Sequence, residues 1–196
     1  MEKTNTRIIL ASSSKYRADI LSRIGVKFEQ FSPNIDEYAA DSESADQLVK
    51  RLAEEKALSA RDVYQNSLVI GSDQVVSGLT GILGKPDNLT EAVEQIMVHS
   101  GQEVTLSTGV ALLNTKSSRL QSNVDHYRIK YKTLDRKTVE RYVKREQPLD
   151  CCGALRAEGP GINLLQWMRG NDPNTLIGLP VIYLCAMLEN EEYCLY

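Results

Sequence analysis

Two short stretches hold most of the side chains able to do chemistry. In Leu10–Arg17 (LASSSKYR), serines, a lysine and an arginine crowd a turn that follows the apolar run Arg7–Leu10. A strand-to-helix turn leaves the first backbone N–H groups of the helix unpaired, and the helix dipole makes them an anion site. Ser12, Ser13 and Ser14 add hydroxyl donors. Lys15 and Arg17 add charge, and a guanidinium can grip two phosphate oxygens at once. Simple capping by the serines, with solvated cations, uses the same residues, and the local sequence leaves both readings open. In Gly71–Val75 (GSDQV), Asp73 and Gln74 interrupt an otherwise apolar strand. A carboxylate there calls for a partner, a metal or a catalytic task, or marks a strand end with an Asx turn.

Three further positions add to this set. Lys56 follows Leu48 and Leu52 at intervals of four, so it shares the inward face of a helix. A lysine there snorkels to water or points into a cleft. Lys85 stands between Gly84 and Pro86, in a turn from which it either reaches a cleft or faces solvent. Asp36 and Glu37 follow a proline and offer paired carboxylates, a set suited to magnesium with water and phosphate, or to a plain surface loop. His99 and His126 are isolated and read as structural or exposed. The chain carries no GxxxxGK[ST], GxGxxG or GxSxG pattern, so the standard phosphate loop, dinucleotide fingerprint and nucleophile elbow do not apply.

These groups need a scaffold of alternating strands and helices. Residues 7–11 read as a buried strand, 15–24 as a helix stopped by Gly25, and 27–32 as a second strand. Ser44 and Gln47 have capping-box spacing and open a helix to about Val63. Residues 67–78 form a long apolar strand, and 78–81 (GLTG) a hairpin turn. Helices are expected over 90–99 and 135–145. Strands are expected over 103–114 and 119–132, where the short turn between them requires antiparallel pairing. Residues 151–171 read as short strands and loops, and Leu179–Leu188 as a final apolar helix. The whole reads as a single α/β domain over residues 1–196, with a mixed, partly antiparallel sheet flanked by helices.

Composition bounds the partners. The chain has 196 residues, 42% hydrophobic and 25% charged, with a net charge of -3. It lacks the overall basic field of a nucleic-acid or membrane-surface binder. No apolar run approaches the roughly 18–20 residues of a bilayer span. The polar opening MEKTNTR lacks the apolar core of a secretory leader. Cys151, Cys152, Cys185 and Cys194 include an adjacent pair and no CxxC, which suits a reducing cytoplasm better than a disulfide or zinc framework.

In this order and spacing, LASSSKYRADIL, SPNIDE, RLAEEKA, IGSDQVV, GKP, STGVAL, YVKREQPLDCCGA, EGPGI and DPNTLIGLPV resemble the Maf family of nucleoside triphosphate pyrophosphatases over nearly the whole chain. The nearer resemblance is to the branch associated with 7-methyl-GTP. It implies the inosine triphosphate pyrophosphatase-like fold, an elongated sheet with two lobes and a central cleft, in a cytoplasmic homodimer. It implies hydrolysis between the α and β phosphates, with a divalent cation (Mg2+, Mn2+ or Co2+). By the same resemblance Asp73 is the catalytic acidic residue. Ser12, Arg17, Glu37, Lys56 and Lys85 handle phosphate and metal, the metal falling to Glu37 and Asp73. Tyr16, Gln74 and Glu158 match positions that set substrate choice. A dTTP or UTP pyrophosphatase and a nucleotide-binding regulator of cell division are the alternatives. The chain departs from the family where Lys15 replaces a frequent proline and Ala18 stands where a second arginine is common.

Overall fold

The computed structural model describes residues 6–195, so most of the polar opening segment lies outside the described residues. The strands are β1 (Arg7–Ala11), β2 (Glu29–Phe31), β3 (Ser67–Gly78), β4 (Gly81–Leu83), β5 (Glu103–Asn114), β6 (Arg119–Tyr131) and β7 (Leu165–Gly170). The helices are α1 (Lys15–Arg23), α2 (Ala45–Leu58), α3 (Leu89–Val98), α4 (Arg136–Glu146), α5 (Pro173–Ile177) and α6 (Val181–Glu189). The strands run in the order β2-β1-β3-β5-β6-β7, with β4 paired to β3. β1 pairs parallel with β2 and β3, whereas β3–β4 and β6–β7 are antiparallel. The sheet is mixed and the fold α/β.

The chain divides into two compact units, and β3, β5 and β6 contribute residues to both. The first comprises residues 1–73, 108–125 and 178–196. Its core under α2 is small and tight: Ile9, Ala11, Ala53, Ala57, Val69, Ala111 and Leu113 pack together. Backbone meets backbone there. A Cβ on Gly71 would collide with the carbonyl oxygen of Ala53, and one on Gly109 with that of Val49. Glycine in the middle of a strand marks this kind of close approach.

The second unit comprises residues 74–107 and 126–177. Val76, Ile96, Leu106, Tyr127, Ile129, Tyr131, Val139, Tyr142 and Leu165 belong to its core. His99 closes α3 and stacks on Tyr131, with ring centroids 5.9 Å apart. It is wholly buried, and neither ring nitrogen has a described partner.

Several expected boundaries move. The Ser44–Gln47 capping box forms as read, but α2 stops at Leu58 and residues 59–63 are turns. Residues 151–171 hold two 3-10 turns, Cys152–Ala154 and Pro160–Leu164, before β7. The final helix starts at Val181, two residues late, because Pro180 takes the N-cap after Gly178 adopts a φ of 119°. A proline is suited to a helix start, and a positive φ to glycine.

Candidate active site

Asp73 and Lys56 meet because of the glycine at position 71. Residues two apart on a strand share a face, so Gly71 and Asp73 both look toward α2. With no side chain at Gly71, the helix comes down onto β3 and delivers Lys56. The Lys56 Nζ donates to Asp73 Oδ1 at 2.6 Å and lies 2.7 Å from Glu37 Oε1. Lys56 is 4% exposed and Asp73 8%, whereas the Glu37 side chain is largely solvent-facing. Lys56 therefore does not snorkel to water. Its ammonium is buried between two carboxylates.

Glu37 sits in a loop without regular structure, and α2 holds that loop in place. Arg51 Nε and Nη2 grip the two carboxylate oxygens of Glu43 at 2.7 and 2.8 Å. The same guanidinium donates to the Tyr38 carbonyl at 3.0 Å. Ala40 N–H donates to Glu43 at 2.9 Å. The Arg51 hydrogen bond holds the Glu43 carboxyl at about 2, well below its usual value.

The first loop forms a second constellation in the same unit. Ser14 is the N-cap of α1 and accepts from Arg17 N–H. The Arg17 side chain folds back on the loop: Nη1 donates to the buried Ser12 Oγ at 3.1 Å and Nε to the Gly178 carbonyl at 2.8 Å. Ser72 Oγ lies 2.9 Å from that same carbonyl and 2.7 Å from Gly109 O, so its one hydroxyl hydrogen serves the two carbonyls between them. Ser72 is absent from the sequence-based site, as are Gly71, Gly109 and Gly178. Their signal was present, since a small or glycine residue inside an apolar strand points to close backbone approach.

Lys15 also finds a place. Its ammonium stands 5.0 Å from the centroid of the half-buried Tyr16 ring. Nothing in the structure explains Ala18.

The remaining predicted residues belong to the second unit. Gln74 Nε2 donates to the Thr175 and Leu176 carbonyls at 2.7 and 3.4 Å, so its amide hydrogens are committed to backbone. Lys85 is exposed just after β4, where Gly153 N–H fixes the preceding Gly84 carbonyl at 3.0 Å. Glu158 is exposed in the turn before Pro160.

A family model described as "Maf-like protein" matches residues 7–191, across both units. The chain belongs to the Maf-like protein family. A protein of Idiomarina loihiensis named 7-methyl-GTP pyrophosphatase is 46% identical over 183 residues, 92% of each chain. Proteins with the same name from Pseudoalteromonas atlantica and Pseudomonas aeruginosa are 46% and 45% identical, covering 95% and 94% of this chain and 95% and 96% of their own. Within this family setting, the four cysteines carry no disulfide. No helix among the described residues is long and apolar enough to cross a membrane.

Proposed function

We propose that this chain hydrolyses 7-methyl-GTP to 7-methyl-GMP and pyrophosphate. The observation that carries the reading is the buried Lys56 ammonium holding Asp73 and Glu37 at 2.6 and 2.7 Å. A nucleoside triphosphate is polyanionic, so nucleophilic attack on it needs charge neutralisation. Arg17, Lys56, Lys85 and the N-terminus of α1 supply it. Asp73 orients a water and accepts its proton. The water oxygen bonds to the α phosphorus as the bond to the α–β bridging oxygen breaks, and pyrophosphate leaves.

The donor set also suits a divalent cation. Among the described residues no group of three or more His, Cys, Asp or Glu side chains could hold a metal. Two carboxylates on one lysine match the magnesium pattern, in which one or two carboxylates act with substrate phosphates and water. Glu37 and Asp73 would hold Mg2+, Mn2+ or Co2+, which when bound spreads the phosphate charge and acidifies water.

For the base, Tyr16 offers a half-buried aromatic ring, on which the neighbouring Lys15 ammonium stands 5.0 Å from the centroid. A 7-methylguanine ring is cationic and gains from an aromatic face by about 0.5–2 kcal/mol. Glu158 accepts from the guanine N1–H and 2-amino group. Gln74, with its amide hydrogens committed to backbone, acts through its oxygen. A cytoplasmic homodimer belongs to the same reading, and light scattering of the purified protein checks the dimer.

The test is pyrophosphate release by the purified protein with Mg2+, Mn2+ or Co2+ on 7-methyl-GTP, GTP, dTTP and UTP. The expected kcat/KM is highest for 7-methyl-GTP. Equal values for all four would reject the base assignment, and a preference for dTTP or UTP would favour the pyrimidine alternative.

A further inference from the structure

An open surface groove of about 480 Å3 lies wholly within the second unit, lined by the half-buried Thr105 and the exposed His126, Arg128, Arg169, Gly170 and Asn171. None of these residues belongs to the proposed catalytic set. Strand alternation sets the lining. Tyr127 and Ile129 are buried in the core, so His126 and Arg128 project from the other face of β6. Arg128 and Arg169 are register partners in the antiparallel β6–β7 pair.

Two like charges directly opposite one another weaken a strand pair, here modestly because both arginines are exposed and water screens them. The neighbourhood relieves this little. Arg128 has Glu103 at 3.5 Å, but both side chains are largely exposed, and such a pair contributes almost nothing. The Arg169 guanidinium lies 5.0 Å from the Trp167 ring centroid. An aromatic ring orients a guanidinium without cancelling its charge. Thr105 and Asn171 add a hydroxyl and an amide, and no carboxylate is among the lining residues.

We propose that this groove binds a phosphate-type anion, with the Arg128 and Arg169 forks on its oxygens and His126 and Thr105 beside them. The bound anion offsets the opposed charges that β6 and β7 otherwise carry. Free pyrophosphate and a nucleoside monophosphate share this chemistry, and the test separates them.

Trp167 is the only tryptophan of the chain, so its fluorescence reports on Arg169 directly. The protein is titrated with inorganic pyrophosphate and, separately, with GMP. The expected result is a saturable change with at least one of them, which identifies the source and weakens as salt is raised. The apparent Kd should rise at least tenfold in Arg128→Gln and stay within twofold of wild type in Arg17→Gln. Glu103→Gln, which removes an exposed and weakly held carboxylate, should bind at least as tightly as wild type. Without anion, Arg128→Gln should melt no lower than wild type. No saturable response to either anion overturns the proposal, as does a response that persists in Arg128→Gln, disappears in Arg17→Gln, or weakens in Glu103→Gln.

Discussion

Lys56 donates to Asp73 at 2.6 Å with both residues buried, 17 positions apart in the chain. Removing Lys56 leaves Asp73 as an uncompensated buried charge, at a cost of about 3–5 kcal/mol, whereas removing the Asp73 charge leaves Lys56 with Glu37 at 2.7 Å. Lys56→Met should melt well below wild type and Asp73→Asn less far below, because Glu37 still pairs with Lys56, and the double variant should recover part of the Lys56→Met loss. Both single variants should lose at least about 100-fold in kcat, the scale of deleting one charge-stabilising or proton-accepting group. Asp73→Asn should still bind nucleotide. Thermal melts and steady-state kinetics check the cycle, and wild-type turnover in Asp73→Asn would remove that residue from the chemistry.

Gly71→Ala tests how the pair is positioned. Its new methyl group meets the Ala53 carbonyl oxygen, so α2 must lift. Overpacking of this kind costs about 1–3 kcal/mol. Activity should fall with stability, although residue 71 touches no substrate. An alanine variant as active and as stable as wild type would contradict the close-approach account.

Arg51 is a positioning residue for Glu37. Arg51→Met releases the clasp on Glu43 and Tyr38. The loss in kcat should reach up to about 100-fold, the scale on which a displacement of about 1 Å acts. The clasp also titrates. The Glu43 carboxyl sits at about 2 against 4.5 in an unstructured chain. Its contribution is therefore complete above pH 4.5 and is lost as pH falls toward 2. Acid unfolding of Glu43→Gln should be flatter than wild type across that window.

His99 gives a second pH dependence. Burial holds its imidazole below the usual 6.5. As pH falls below 6.5 the unfolded chain takes up a proton that the folded one does not, so stability drops. His99→Phe keeps a ring against Tyr131 and removes two unpartnered nitrogens. It should be more stable than wild type by about 1–3 kcal/mol, with a shallower fall between pH 6.5 and 5. Urea melts over that range measure both.

The elements were legible wherever periodicity and punctuation agree. The capping box at Ser44, the turn at 78–81 and the two long strands joined by residues 115–118 lie where the residues say. Helix ends at Leu58 and Val181 were less legible, because α2 gives way to turns with no proline or glycine to announce them, and Pro180 serves as a cap rather than a helix residue. Lys56 was visible as an inward lysine, but its pairing depends on a helix–strand distance that spacing along one helix does not encode. Arg17 was visible as a phosphate ligand, yet its contact with Gly178 joins segments 161 residues apart. The opposed Arg128 and Arg169 become visible only once the register of β6 and β7 is known.

Gly71 and Gly109 seat α2 on main-chain atoms rather than on side chains. A seat of that kind is a hard stop. Shaving a methyl group from Val69 or Leu113 in the same core should cost stability, yet the helix has nowhere closer to settle. The separation of Lys56 from Asp73 is thus insulated from drift in the surrounding apolar residues. In this unit, robustness of the fold and precision of the ion pair are separately adjustable quantities.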